Sequence, residues 1–123
     1  MAKEMVMIEL KQYTDEDLIS PDRIATHLRT TKQEISQTLG ISPEALTRKR
    51  RIKTPAVQSS LRKFIETLNT VTPMAGNALM AYAWYRSASI IGFGGRTPAE
   101  IVKDGEADAL RNHILRRLDG GYT

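Results

Sequence analysis

The stretch Thr31-Lys32-Gln33-Glu34-Ile35-Ser36-Gln37-Thr38-Leu39-Gly40-Ile41-Ser42-Pro43-Glu44-Ala45-Leu46-Thr47-Arg48-Lys49-Arg50-Arg51 decides how this chain is read. Thr31 with Glu34 three residues later has the pattern of a capping box, in which hydroxyl and carboxylate satisfy the first amides of a helix. Ile35 and Leu39, one turn apart, face inward. Gly40 suits the left-handed position that closes a helix. Ser42-Pro43 starts another, because proline at the first helical position gives up no hydrogen bond. The pattern is a helix, a tight turn through Gly40-Ile41-Ser42, and a second helix over Glu44-Ala45-Leu46-Thr47-Arg48-Lys49-Arg50.

Towards the N-terminus, Ser20-Pro21 opens a helix with Ile24, Ala25 and Leu28 on one stripe. Residues 1–19 read as an arm. Val6, Ile8 and Leu10 alternate in a short strand-like pattern, and Asp15-Glu16-Asp17 is acidic. The arm either packs against its own domain or is partly disordered, or else it exchanges across a dimer.

Towards the C-terminus, Thr54-Pro55 opens a helix whose Val57, Leu61, Phe64, Ile65, Leu68 and Val71 keep the spacing of a buried face, ending before Pro73. The next helix is read from Met74 to Arg86 or Ser87. Its apolar residues, with Leu79, Tyr82, Trp84 and Tyr85, lie almost all round, which predicts a central, well-covered helix. Gly92-Phe93-Gly94-Gly95 is a glycine hinge before a second capping box, Thr97 to Glu100, with Pro98 between. A break at Asp104-Gly105 precedes the last helix, Glu106 to Leu118. There Ala107, Leu110, Ile114, Leu115 and Leu118 point inward, while Asp108, Arg111, Arg116 and Arg117 stay in water. The fold class is all-α, with about seven helices.

Composition sets bounds. The chain has 123 residues, 41% of them hydrophobic and 6% aromatic, which suits one domain or two small helical ones. With no cysteine, disulfides and thiolate chemistry are excluded, and the chain fits a reducing cytoplasm. No apolar run approaches the ~18 residues of a membrane span. A net charge of +4 is modest, so the distribution of charge matters more than its sum.

That distribution is uneven. Arg48, Lys49, Arg50, Arg51, Lys53, Arg62 and Lys63 carry seven positive charges over a stretch with no acidic residue. In a helix-turn-helix the second helix enters the major groove, its early residues meet base edges, and flanking cations neutralise phosphates. Ser42, Glu44, Ala45 and Thr47 are placed on the groove side. Arg48, Lys49, Arg50, Arg51 and Lys53 are assigned chiefly to phosphates, and Gln33 to a phosphate contact at the start of the preceding helix. The plain alternative is a solvated basic face.

Other chemistry finds little footing. Glycines beside Arg96 before a helix start could cradle an anion. A phosphate loop, however, needs G-x-x-x-x-G-K-[ST] after a strand, and neither the lysine nor the strand is there. His27 and His113 have no metal-spaced companions. Glu100, Asp104, Glu106 and Asp108 read as helix-start charges. No cofactor, metal or catalytic constellation is indicated, so no enzyme is expected.

The chain resembles the Xre/MbcA/ParS-type antitoxins of bacterial toxin–antitoxin systems over about residues 30–123. The resemblance rests on Leu39-Gly40-Ile41-Ser42 with Leu46-Thr47-Arg48. It also rests on Trp84 in an aromatic helix, Gly94-Gly95-Arg96-Thr97-Pro98-Ala99-Glu100-Ile101-Val102, Asp104-Gly105, Ala107-Asp108-Ala109-Leu110 and Arg117-Leu118-Asp119-Gly120-Gly121-Tyr122. Tyr85-Arg86-Ser87-Ala88-Ser89-Ile90-Ile91 stands where the family has a proline- and asparagine-containing turn, and the break at Val102-Lys103-Asp104-Gly105 marks a variant branch. The resemblance implies a homodimeric cytoplasmic antitoxin that binds its own operator through the helix-turn-helix, represses its own operon, and covers a cognate toxin, usually a RES-domain protein, with its C-terminal domain. By the same analogy Arg116, Arg117, Gly120, Gly121, Tyr122 and Thr123 face the toxin. The expected organisation is an arm (1–19), a helix-turn-helix DNA-binding region (20–71) and a C-terminal partner-binding or dimerisation domain (72–123). Two rivals are a stand-alone transcriptional regulator whose C-terminal domain only dimerises, and a protein-interaction module that never meets DNA.

Overall fold

A computed structural model describes residues 13–15 and 17–121 of the chain. The alternation at Val6, Ile8 and Leu10, and the terminal Tyr122 and Thr123, lie outside the described residues. Helices dominate, as expected for an all-α chain. The described residues form two compact units that divide between Glu66 and Thr67, inside one long helix.

The first unit opens with a small antiparallel hairpin. Strand β1 (Thr14–Asp15) pairs with β2 (Leu18–Ile19), Thr14 opposite Ile19. Asp17 turns the chain at a positive φ of 67°. Helix α1 (Pro21–His27) starts where Ser20-Pro21 predicts, the Ser20 hydroxyl accepting from the Arg23 amide at 3.3 Å. Helix α2 (Lys32–Leu39) is capped by Thr31, whose hydroxyl accepts from the Glu34 amide at 3.1 Å, while Glu34 accepts from the Thr30 hydroxyl. Gly40 closes it in the left-handed region at φ 72°. The Ile41 amide then donates back to the Ser36 carbonyl at 3.0 Å, the wrap that satisfies a helix's last carbonyls.

The next segment departs from its pattern. In place of one helix through Arg50 there are two short ones, α3 (Pro43–Thr47) and α4 (Lys49–Ile52). Arg48 between them is extended, at φ −88° and ψ 121°. A single helix would stack the cations of Arg48-Lys49-Arg50-Arg51 and Lys53 at three- and four-residue spacings, where like charges repel. The Thr47 hydroxyl also turns back on the Pro43 carbonyl at 3.3 Å, a bond that competes with regular helix.

Helix α5 (Pro55–Ala75) passes through Pro73 instead of stopping before it. Proline has no amide to donate one turn back and crowds the carbonyl there, yet α5 continues through it to Ala75. The Gly76 amide still donates to the Thr72 carbonyl at 2.8 Å, and the chain then breaks at Gly76, φ 107°.

In the second unit α6 (Ala78–Ser87) begins four residues later than the Met74 start read from the sequence. Its cap is Asn77, whose side-chain oxygen accepts from the Met80 amide at 2.8 Å. The helix is one-sided, not covered all round. Ala78, Ala81, Tyr82 and Tyr85 are buried, whereas Met80 is 55% exposed and Trp84 half-buried. Burial raises the Tyr85 phenol well above its ordinary pKa, so it stays neutral. Helix α7 (Pro98–Lys103) carries the capping box in full, and α8 (Ala107–Arg116) runs into a single π-helical turn, Arg117–Gly121. Leu110 and Ile114 of α8 are buried, but Leu115, read as inward, is 40% exposed. No helix among the described residues is long and apolar enough to cross a membrane.

Candidate nucleic-acid interface

Burial sorts the first unit's predicted contact residues. Ala45 and Leu46 are buried at 2% and 0% exposure and anchor α3. Ala45 therefore does not belong to the outward face assigned to it; its methyl is core. Ser42, Glu44 and Thr47 are exposed on the other side of the same helix, and Gln33 is exposed on the first turn of α2. Thr47 spends its proton on its own helix, at the Pro43 and Glu44 carbonyls, and keeps its oxygen as an acceptor.

Arg48, Lys49, Arg50, Arg51 and Lys53 are all exposed. Four of these cations, with Glu44, line one open concavity on the α3–α4 surface. Glu44 is its single carboxylate. The extended residue at Arg48 gives α4 a direction independent of α3, so the cations occupy a shoulder beside the exposed face of α3. That arrangement can accept an anionic backbone on the shoulder while Ser42, Glu44 and Thr47 meet whatever lies between.

One residue that the sequence reading missed holds the shoulder in place. The Gln58 side-chain amide donates to the Ile52 carbonyl at 2.9 Å and to the Ile19 carbonyl at 3.1 Å, and its oxygen accepts from the Ile19 amide at 2.9 Å. It ties the end of α4 to strand β2 from the first turns of α5. Partners 39 residues apart leave no mark in local spacing.

The second unit's loop is more rigid than the hinge reading implies. The Ile90 amide donates to the Arg96 carbonyl at 3.0 Å, and the Ser89 hydroxyl to the Gly95 carbonyl at 2.8 Å, closing the loop at its neck. Arg96 is not available to an anion. Its Nη1 donates to Asp104 Oδ2 at 2.8 Å and to Glu106 Oε2 at 2.7 Å, its Nη2 to Glu106 Oε1 at 3.2 Å, and its Nε to the Phe93 carbonyl at 2.9 Å. Asp104 ends α7 and Glu106 begins α8. Both were read as helix-start charges, yet they are the counter-ions of Arg96. The guanidinium holds the Glu106 carboxyl below its ordinary range, and at Glu100 hydrogen bonds from Thr97 do the same.

The C-terminal contact residues divide. Arg116 and Arg117 are exposed. Gly120 and Gly121 belong to the π turn that ends the described residues. His113, half-buried, has its imidazole edge-on to Phe93 at 5.5 Å between centroids. Burial, with help from the charges of Arg117 and Arg116, lowers its pKa from the ordinary value. No family model, curated protein or solved structure matches the chain.

Proposed function

We propose that the protein is an antitoxin-like regulator. Residues 31–53 form a helix-turn-helix that binds the gene's own operator, and the C-terminal unit covers a partner toxin of RES-domain type. The observation that carries the DNA half is the α3–α4 surface. Its apolar residues Ala45 and Leu46 face the core, and its five cations and three groove-side polar residues all face solvent. A purely structural helix has no need of four consecutive cations, and their self-repulsion offers no stability. Phosphate neutralisation gives them a use.

The partner half rests on the resemblance of the Gly94–Glu100 and Arg117–Tyr122 segments to antitoxins. One observation favours the second reading, a regulator whose C-terminal unit only dimerises: Gly120 and Gly121 are wound into a π turn, not extended as a probing tail. Two measurements test the pair. Binding to the upstream region of the gene, titrated against salt, should weaken steeply, and absence of binding at low salt removes the DNA half. Co-expression with the neighbouring toxin should restore growth, and failure to do so leaves the regulator reading alone.

A further inference from the structure

The second unit contains a cleft that the DNA-facing surface does not use. Its floor is Ile90 and Ile114, exposed by 7% and 1%. Met74, Trp84, Ala88, Ser89, Ile91, His113 and Arg117 line the rest of it. Ile91 is 86% exposed and Met74 45%, and with the half-buried Trp84 they gather solvent-facing apolar surface at one place. Single exposed apolar residues are ordinary, but a cluster containing tryptophan and methionine around a concavity is the composition of a contact surface. The charge is of one sign. Arg117 lines the cleft, its chain neighbour Arg116 is exposed, and no carboxylate is among the lining residues.

We propose that this cleft docks an acidic amphipathic segment of a partner protein, seating one aliphatic or aromatic side chain over Ile114 against Trp84 and Ile91, and a carboxylate on Arg117 and Arg116. The lining favours such a segment over a nucleic-acid strand, because it is mostly apolar and Arg117 is its single permanent cation, too few to follow a run of phosphates. A carboxylate meets the guanidinium of Arg117 through charge-assisted bonds that an uncharged segment cannot make. The inference deepens the partner-binding half of the proposed function and rests on it.

Trp84 is the sole tryptophan, so its fluorescence in the full chain reports on the cleft directly. The probe is a short synthetic helix-forming peptide with leucines at i, i+3, i+4 and i+7 and glutamates flanking them, against the same peptide with lysines in place of glutamates. The glutamate peptide should shift Trp84 emission to saturation and the lysine peptide should not. Arg117→Glu and Ile91→Asp, both at exposed positions, should each weaken binding by about tenfold or more while the melting temperature holds. Absence of saturation, equal binding of the two peptides, or indifference to both variants overturns the proposal. So does a Trp84 response to single-stranded oligonucleotide instead, or a self-association that Ile91→Asp dissolves without any peptide binding. Peptide binding without growth rescue by the chain would leave the cleft standing and remove the toxin. Growth rescue that survives both variants would do the reverse.

Discussion

The guanidinium of Arg96 grips the carboxylate of Glu106 through two parallel bonds, 2.7 and 3.2 Å long, while two further donors take Asp104 and the Phe93 carbonyl. One side chain thus joins the glycine loop, the end of α7 and the start of α8. Surface ion pairs ordinarily contribute little, but a bidentate network with a backbone anchor is the geometry in which they count. Arg96→Lys should lose nearly as much melting temperature as Arg96→Gln, because a point charge cannot reproduce the fork. Arg96→Gln and Glu106→Gln should be non-additive in a double-mutant cycle, and simple additivity would show that the pair is not coupled.

The same network fixes the response to acid. Glu106 and Glu100 both have folded pKa values below the ordinary carboxylate value of 4.5. Their contribution is therefore complete above about 4.5 and is lost as pH falls through the lower folded values. Thermal melts between pH 6 and pH 3 should show stability falling in that window, with a shallower fall in Glu106→Gln.

His113 titrates in the opposite sense to a histidine that gains an anionic partner. Its folded pKa lies below the ordinary 6.5, so the unfolded chain takes up the proton first. Stability should be unaffected by this group above about pH 6.5, decline as pH drops below it, and level off beneath the folded value. His113→Gln should remove that part of the slope, as read from melts between pH 7.5 and pH 5.

Gly95 has φ 75°, and a Cβ there would lie 3.3 Å from the Ser89 oxygen that bonds its own carbonyl. Gly95→Ala should cost about 1–2 kcal/mol, from the left-handed backbone alone. Thr97→Ala, which removes the capping box one turn on, should cost about 1 kcal/mol. Denaturant titration measures both. If the loop serves the partner surface, each should also weaken partner binding while DNA binding persists.

In the first unit, support and contact should separate. Gln58→Leu removes three hydrogen bonds beneath α4 and should destabilise by about 1–3 kcal/mol. Leu46→Ala, at a fully buried site, should cost about 2–5 kcal/mol and take DNA binding with it. Arg50→Gln and Arg51→Gln should leave the melting temperature unchanged and each reduce the salt slope of DNA binding by about one. Equal salt slopes for wild type and both variants would mean that these cations meet no phosphate.

Much of the helical framework was legible before any tertiary information. Ser20-Pro21, Thr31-Glu34, Gly40 and the Thr97–Glu100 box act within one turn, and their atoms are brought together by the helix they start or stop. The apolar stripe from Val57 to Val71 was legible for the same reason: helical period alone decides which residues share a face. Where the local signal misled, a competing term won. Charge repulsion and the Thr47 back-bond accompany the break at Arg48, and α5 carries on through Pro73 for one further half-turn.

By itself, then, the sequence determined the all-α class, the caps, the turn at Gly40 and the basic run that follows it. Only the tertiary structure decided which side of α3 is core and which is surface, that Gln58 braces α4, that Arg96 belongs to Asp104 and Glu106, and that Trp84 and Ile91 meet Arg117 at one cleft. The physical reason is range. Capping and periodicity are fixed by bonds within a few residues of each other, whereas burial and ion pairing depend on how separate elements are packed, which no local spacing records.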